Sequence, residues 1–179
     1  MKWQDKIQPL KIEKEEERDY TIHGKRIEAK TFPYENLKFQ QTTAVRAYRT
    51  TSAQTIGNAS WTKVQLNAES YDSLGEFDST TNYRFTATGA GYYHITGSIN
   101  WELNATGQRA TSIYKNGTLV SSGDFRNAAA AVVADITIVA DILYLVANDY
   151  IELYGYQNSG GDLDILTGES TTNMAIRKP

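Results

Sequence analysis

From Ala44 to the C-terminus, apolar and polar residues alternate with a period of two in one short segment after another, punctuated by glycine, asparagine and aspartate. Successive side chains of an extended chain point to opposite faces, so this period marks strands that keep one face in a core. Tyr92 to Trp101 is the longest run. The others are Ala44 to Thr50, Trp61 to Leu66, Tyr83 to Phe85, Ala110 to Lys115, Thr118 to Val120, Val132 to Val139, Ile142 to Val146, Tyr150 to Tyr156 and Thr171 to Ile176. Asn116-Gly117 lies between two of them and suits a type I′ hairpin turn. Gly89-Ala90-Gly91 and Asn148-Asp149 mark further turns. No window holds a helical spacing as well as these hold alternation, so the sequence predicts an all-β sandwich or barrel.

Composition breaks near residue 42. Residues 1–42 contain 9 of the 18 Lys and Arg and 8 of the 21 Asp and Glu, leaving 22 charges for residues 43–179. So charged a segment buries little apolar surface by itself. Lys11 to Arg18 is a solvated charge run, and Tyr20 to Ile27 reads as a hairpin turning at His23-Gly24. The sequence therefore predicts an N-terminal arm or linker, 1–42, that orders against another subunit or a larger assembly, and a domain, 43–179.

Several function classes are disfavoured. The net charge of −3 is too small to call for nucleic acid or a membrane surface. With no cysteine, disulfides and thiolate metal sites are excluded. The N-terminus has no apolar stretch behind its charges, so no secretory signal is expected. Ala128 to Ala147 is interrupted by Asp135 and Asp141, whereas a span needs about 20 nearly uninterrupted apolar residues, so membrane insertion is not expected. G-x-S-x-G and a phosphate-cradling glycine loop before a helix are absent. No enzyme activity and no cofactor are expected.

Phe85, Gly91, Tyr93 and Ile95 form the pattern F-x5-G-x-Y-x-aliphatic, with Phe85 closing one strand and Tyr93, Ile95 and Ile99 re-entering the core. This resembles the central signature of the C1q/tumour-necrosis-factor-like jelly roll. Ile113 to Gly117, Asn148 to Leu153 and Ser170 to Ile176 are similar to that family in order and spacing. Val45 to Tyr48 and Trp61 to Val64 look most like its bacterial and bacteriophage branch. The resemblance spans about residues 43–178. It departs from the pattern at Phe77, one position out of register, and at Ile95 and Gly97, which stand where aromatics are usual. No collagen-like Gly-X-Y stalk accompanies it, which argues against a secreted animal protein.

The resemblance implies a two-sheet jelly roll of about ten strands that forms trimers about a three-fold axis. In phages such trimers resemble tail-fibre tips, head fibres and capsid or baseplate decorations carried on an N-terminal attachment segment.

Alternation also nominates surface residues. With Tyr93, Ile95 and Ile99 inward, Tyr92, His94 and Thr96 face outward; with Ile151 and Leu153 inward, Tyr150, Glu152, Tyr154 and Tyr156 face outward. The resemblance places these two strands side by side in the sheet lining the trimer axis. Tyr92, His94, Tyr150, Glu152, Tyr154 and Tyr156 are then the expected trimer interface, since a large exposed aromatic patch calls for burial between subunits. The alternative is scattered tyrosines paired across strands. His94 beside Glu152 reads as packing or hydrogen bonding, because a metal site needs three or more ligands and the chain has 2 histidines; a pH-sensitive interface is the other option. Asn158, Asp162 and Asp164 form a candidate ligand loop, for calcium or a glycan, although a solvated turn accounts for them as well. Asp135 and Asp141 read as strand-edge residues.

The function expected is a non-enzymatic, homotrimeric structural protein of a phage virion (fibre, head fibre or decoration). It is made in the bacterial cytoplasm and joined to other virion proteins through residues 1–42. The alternative is a carbohydrate- or receptor-binding adhesin for host attachment, gripping a surface glycan with Gly123 to Asn127 and Asn158 to Asp164. A hydrolase acting on host polysaccharide is a third reading.

Overall fold

A computed structural model describes residues 42–128 and 135–179, together with the backbone of β1 (Tyr20–Ile22) and β2 (Lys25–Ile27). The chain divides into two units, Met1–Gln40 and Gln41–Pro179. In the first, β1 and β2 pair antiparallel, Tyr20 opposite Ile27. This is the hairpin the sequence predicts; residues 23 and 24, and the charge run Lys11 to Arg18, lie outside the described residues.

Among its described residues the second unit is all-β, with thirteen strands in two sheets. They are β3 (Ala44–Tyr48), β4 (Gln54–Ile56), β5 (Thr62–Lys63), β6 (Ala68–Asp72), β7 (Phe77–Asp78), β8 (Arg84–Thr86), β9 (Gly91–Trp101), β10 (Gln108–Lys115), β11 (Thr118–Asn127), β12 (Asp135–Leu145), β13 (Tyr150–Gln157), β14 (Leu163–Ile165) and β15 (Asn173–Arg177). One sheet runs β11-β10-β13-β8-β7, with β5 also on β13; the other runs β4-β14-β9-β15-β3-β6, with β12 on the far side of β9.

The core lies between the sheets. Tyr93, Ile95, Ile99 and Trp101 from β9 meet Phe85, Ile113, Ile151 and Leu153 from the opposite sheet, all of them fully buried. Phe77, out of register with the family pattern, still packs inward opposite Phe85. The indole Nε1 of Trp101 donates to Thr137 Oγ1 at 2.8 Å, and the Thr137 hydroxyl is also bonded to Thr111, so a polar handle is satisfied inside the core. Asn116 and Gly117 both have positive φ, 52° and 76°, as a type I′ turn requires.

Two boundaries differ from expectation. Val132 to Val139 and Ile142 to Val146 do not form separate strands: from Asp135 to Leu145 the chain is one strand, paired with β9 over all 11 residues. Residues 132–134 lie outside the described residues. Asp141 fits within this strand because its Oδ1 accepts the backbone N–H of Ile142 at 2.7 Å, so it does not mark an end. Asp135 is buried at the start of β12 and accepts from Arg126 NH2 at 2.7 Å. The short strands β4, β7 and β14 and the polar strand β6 carry too few alternations to register as strands in sequence.

Candidate functional site

The two sheets present two outward faces of different chemistry. On the first, the ladder between β12 and β9 sets Tyr144 opposite Tyr92, Ile142 opposite His94, Ala140 opposite Thr96 and Ile138 opposite Ser98. Thr137, Val139 and Leu145 point into the core, so Ile138, Ala140, Ile142 and Tyr144 stand outward as an apolar ridge. Tyr92 is 63% exposed, Ile138 57% and Ile142 54%. Tyr144 meets Tyr92 edge-on, with ring centroids 5.2 Å apart. On the other side of β9, Arg177 of β15 lies opposite His94 and Ala175 opposite Thr96.

The free edge of β12 is blocked by its own chain. Asp124 Oδ2 accepts the Ile138 N–H at 3.0 Å, and Arg126 donates to the Ile136 carbonyl. Strand addition at that edge is therefore suppressed, and what remains available is the face.

The second face belongs to β11, β10, β13 and β5. Ala110 lies between Phe125 on one side and Tyr156 on the other in the ladder, and the two rings approach to 5.8 Å with 23° between their planes. Tyr156 in turn meets Trp61 at 5.3 Å. One row on, Tyr114 stacks on Tyr154 at 3.9 Å, and Arg84 sits over the Tyr150 ring at 4.2 Å. Burial raises the Tyr154 hydroxyl's pKa, helped by Glu152 and the neighbouring tyrosines, and burial raises that of Tyr114. Glu152 is almost fully buried, and Lys63 Nζ holds its Oε1 at 3.0 Å.

The expected single band of Tyr92, His94, Tyr150, Glu152, Tyr154 and Tyr156 is thus corrected: β9 and β13 are not neighbours. β9 takes β12 on one side and β15 and β14 on the other, whereas β13 takes β10 on one side and β8 and β5 on the other. Each strand's hydrogen-bonding edges are filled by others, so the two lie in opposite sheets. Tyr92 and His94 stand on the first face; Tyr150, Glu152, Tyr154 and Tyr156 stand on the second, half-buried or buried by partners from the same chain. His94 and Glu152 accordingly do not form a pair. The ridge of Ile138, Ile142 and Tyr144 was not singled out in sequence, although alternation within 135–145 carries it once the segment is read as one strand.

Two residues of the candidate ligand loop, Asn158 and Asp164, are committed to internal bonds. Asn158 Oδ1 accepts the Gln108 N–H at 2.5 Å, and Asp164 Oδ1 accepts the Thr55 hydroxyl at 2.7 Å; Asp162 is exposed. Among the described residues no group of three or more His, Asp or Glu side chains is placed to hold a metal ion.

Solved structures share this architecture. The Eiger TNF from S. frugiperda aligns with a TM-score of 0.60 at 11% identity, over 77% of this chain and 92% of that one. Murine APRIL aligns at 0.58 and 10% identity, over 78% of this chain and 100% of that one. The globular domain of zebrafish complement 1qA protein aligns at 0.51 and 15% identity, over 75% and 94%. The second unit is therefore a TNF/C1q-like jelly roll, as the sequence predicts. No family model matches the sequence, and no curated protein matches it.

Proposed function

We propose that the chain is a non-enzymatic structural head that assembles as a homotrimer through the β12–β9 face. In this reading it serves as a component of a phage virion, a fibre, head fibre or decoration, made in the bacterial cytoplasm and joined to the particle through residues 1–42. The observation that carries the assembly is the apolar ridge of Ile138, Ile142 and Tyr144 beside Tyr92, exposed on a face whose edge is already capped. A contiguous apolar patch of this kind is characteristic of a surface that another protein covers. Three copies, as opposed to two, follow from the trimeric habit that the jelly-roll resemblance implies. The virion role is supported by the bacteriophage-type segments Val45 to Tyr48 and Trp61 to Val64 and by the charged arm.

Light scattering of the purified full chain tests the assembly. Three 20.0 kDa chains per particle are expected, and a monomer at micromolar concentration refutes it. Immunogold labelling of phage particles from the source tests the virion role, which unlabelled particles overturn. A second reading, host attachment through a surface glycan, is favoured by one observation: the aromatic row on the opposite face.

A further inference from the structure

We propose that the outer face of β11, β10, β13 and β5 is a binding platform for a neutral oligosaccharide. This deepens the attachment reading and is independent of three-fold assembly, because it uses the other sheet.

Phe125 of β11, Tyr156 of β13 and Trp61, just before β5, form a row with successive centroid separations of 5.8 and 5.3 Å. Phe125 is 55% exposed, and Tyr156 and Trp61 are partly buried. The row exists because β10 places a small residue, Ala110, where its neighbours place rings. Such a row offers an aromatic surface to the C–H side of consecutive pyranose units, and rings of this kind pack at little entropic cost because they have few rotatable bonds.

Polar groups border the row on the same face. Gln108 and Asn127 lie one ladder step beyond Ala110 and Phe125. Gln108 Nε2 donates to Asn127 Oδ1 at 3.5 Å, a long contact at the surface that leaves both amides open to a ligand. Ser112 lies one step the other way, opposite Tyr154. It is fully buried, so it underlies the rings and is not part of the ligand-facing border. Rings bordered by surface amides match a ligand that is apolar on one side and rich in hydroxyls at its rim.

The electrostatics select a neutral ligand. Among the described residues beside the row, Lys63 is paired with Glu152 at 3.0 Å and Arg126 with Asp135 at 2.7 Å, so neither cation stands free for an anionic sugar. The chemistry also separates this face from the other. An apolar protein surface is matched by the apolar ridge of β12; the second face offers rings and amides instead.

The test is calorimetric titration of the intact protein with neutral gluco-, galacto- and manno-oligosaccharides from di- to hexasaccharide. It is run in parallel on Phe125→Ala, Trp61→Ala and Ile142→Ser, with light scattering on each. Saturable binding of at least one series is expected, weakened about tenfold or more by Phe125→Ala and Trp61→Ala and unchanged per chain by Ile142→Ser. Absence of binding across the series at millimolar ligand overturns the proposal, as does binding that neither aromatic substitution weakens. A fall in particle mass in Phe125→Ala also overturns it, since this face would then contact another copy. Loss of mass in Ile142→Ser alone speaks only to the assembly, which keeps the two readings separable.

Discussion

Gly97 of β9 lies directly beneath Leu153 of β13, so close that a Cβ on the glycine would meet Leu153 Cδ1 at 2.5 Å and Val139 Cγ1 at 3.3 Å. This contact between the two sheets explains why a glycine occupies a core-facing position where the related jelly rolls favour an aromatic. Leu153 fills the volume from the other side. Gly97→Val should therefore overpack the core and cost roughly 1–3 kcal/mol, read as a lower denaturation midpoint with an unchanged slope. Adding Leu153→Ala should recover part of that loss, because the two side chains compete for one space.

The outward neighbour of this core is the site of the second prediction. Ile142 stands across from His94 with its side chain in solvent. Ile142→Lys should leave the far-ultraviolet circular dichroism of the fold unchanged. In an assembly that buries this face, the substitution leaves an unpaired charge at the interface, worth about 3 kcal/mol or more, and so weakens association by about a hundredfold. Sedimentation across a concentration series measures this; association equal to that of the parent chain shows that another surface holds the copies together.

Much of the fold was legible because period-two alternation is a local signal. Tyr93, Ile95 and Ile99 inward, and Tyr92 and His94 outward, follow from β9 alone. The partnership of strands does not, because it depends on contacts far apart in sequence. Nothing in Tyr92 to Trp101 or Tyr150 to Tyr156 says that one strand takes β12 and the other β10, so the two outward tyrosine sets merged into one surface when read from sequence and separate in the structure. The aromatic row was partly hidden for the same reason: Phe125, Tyr156 and Trp61 come from three distant segments that only the ladder through Ala110 brings together. Asp141 misled locally, since an acid inside an apolar run looks like a terminus until its bond to the next N–H is seen.

Acid stability should depend on the bridge between two turns. Asp149 accepts from Lys115 Nζ at 2.8 Å, from Asn116 Nδ2 at 2.7 Å and from the Val146 N–H at 2.9 Å. These partners, Lys115 foremost, lower its pKa to about 2. The unfolded carboxyl titrates near 4, so the unfolded chain binds the extra proton first. The contribution of this group is present above pH ~4 and is lost as pH falls toward about 2. Asp78, held low by the N–H groups of Thr81 and Thr80, acts in the same direction. Denaturation midpoints of Asp149→Asn should consequently change less with pH between about 4 and 2 than those of the parent. Equal pH slopes in the two proteins rule out the bridge as the source.

Arg49 offers the sharpest test of how the loops beside β3 are held. It is 8% exposed. Its Nε donates to the Ser52 carbonyl at 2.9 Å, one NH group to the Gln65 carbonyl at 2.9 Å and the other to Ala53 at 3.4 Å. Burial lowers its pKa, a desolvation cost that its hydrogen bonds to these carbonyls offset. The planar fork reaches three carbonyls from two chain segments at once, and a lysine ammonium on a thinner stem cannot. Arg49→Lys should lose at least one of these charge-assisted hydrogen bonds, costing about 1.5–3 kcal/mol. The damage should be local: faster amide exchange at 50–54 and 65–67 with the β9–β12 ladder unchanged. Uniformly faster exchange throughout the sandwich, or none anywhere, refutes the assignment of Arg49 as a clamp between these two segments.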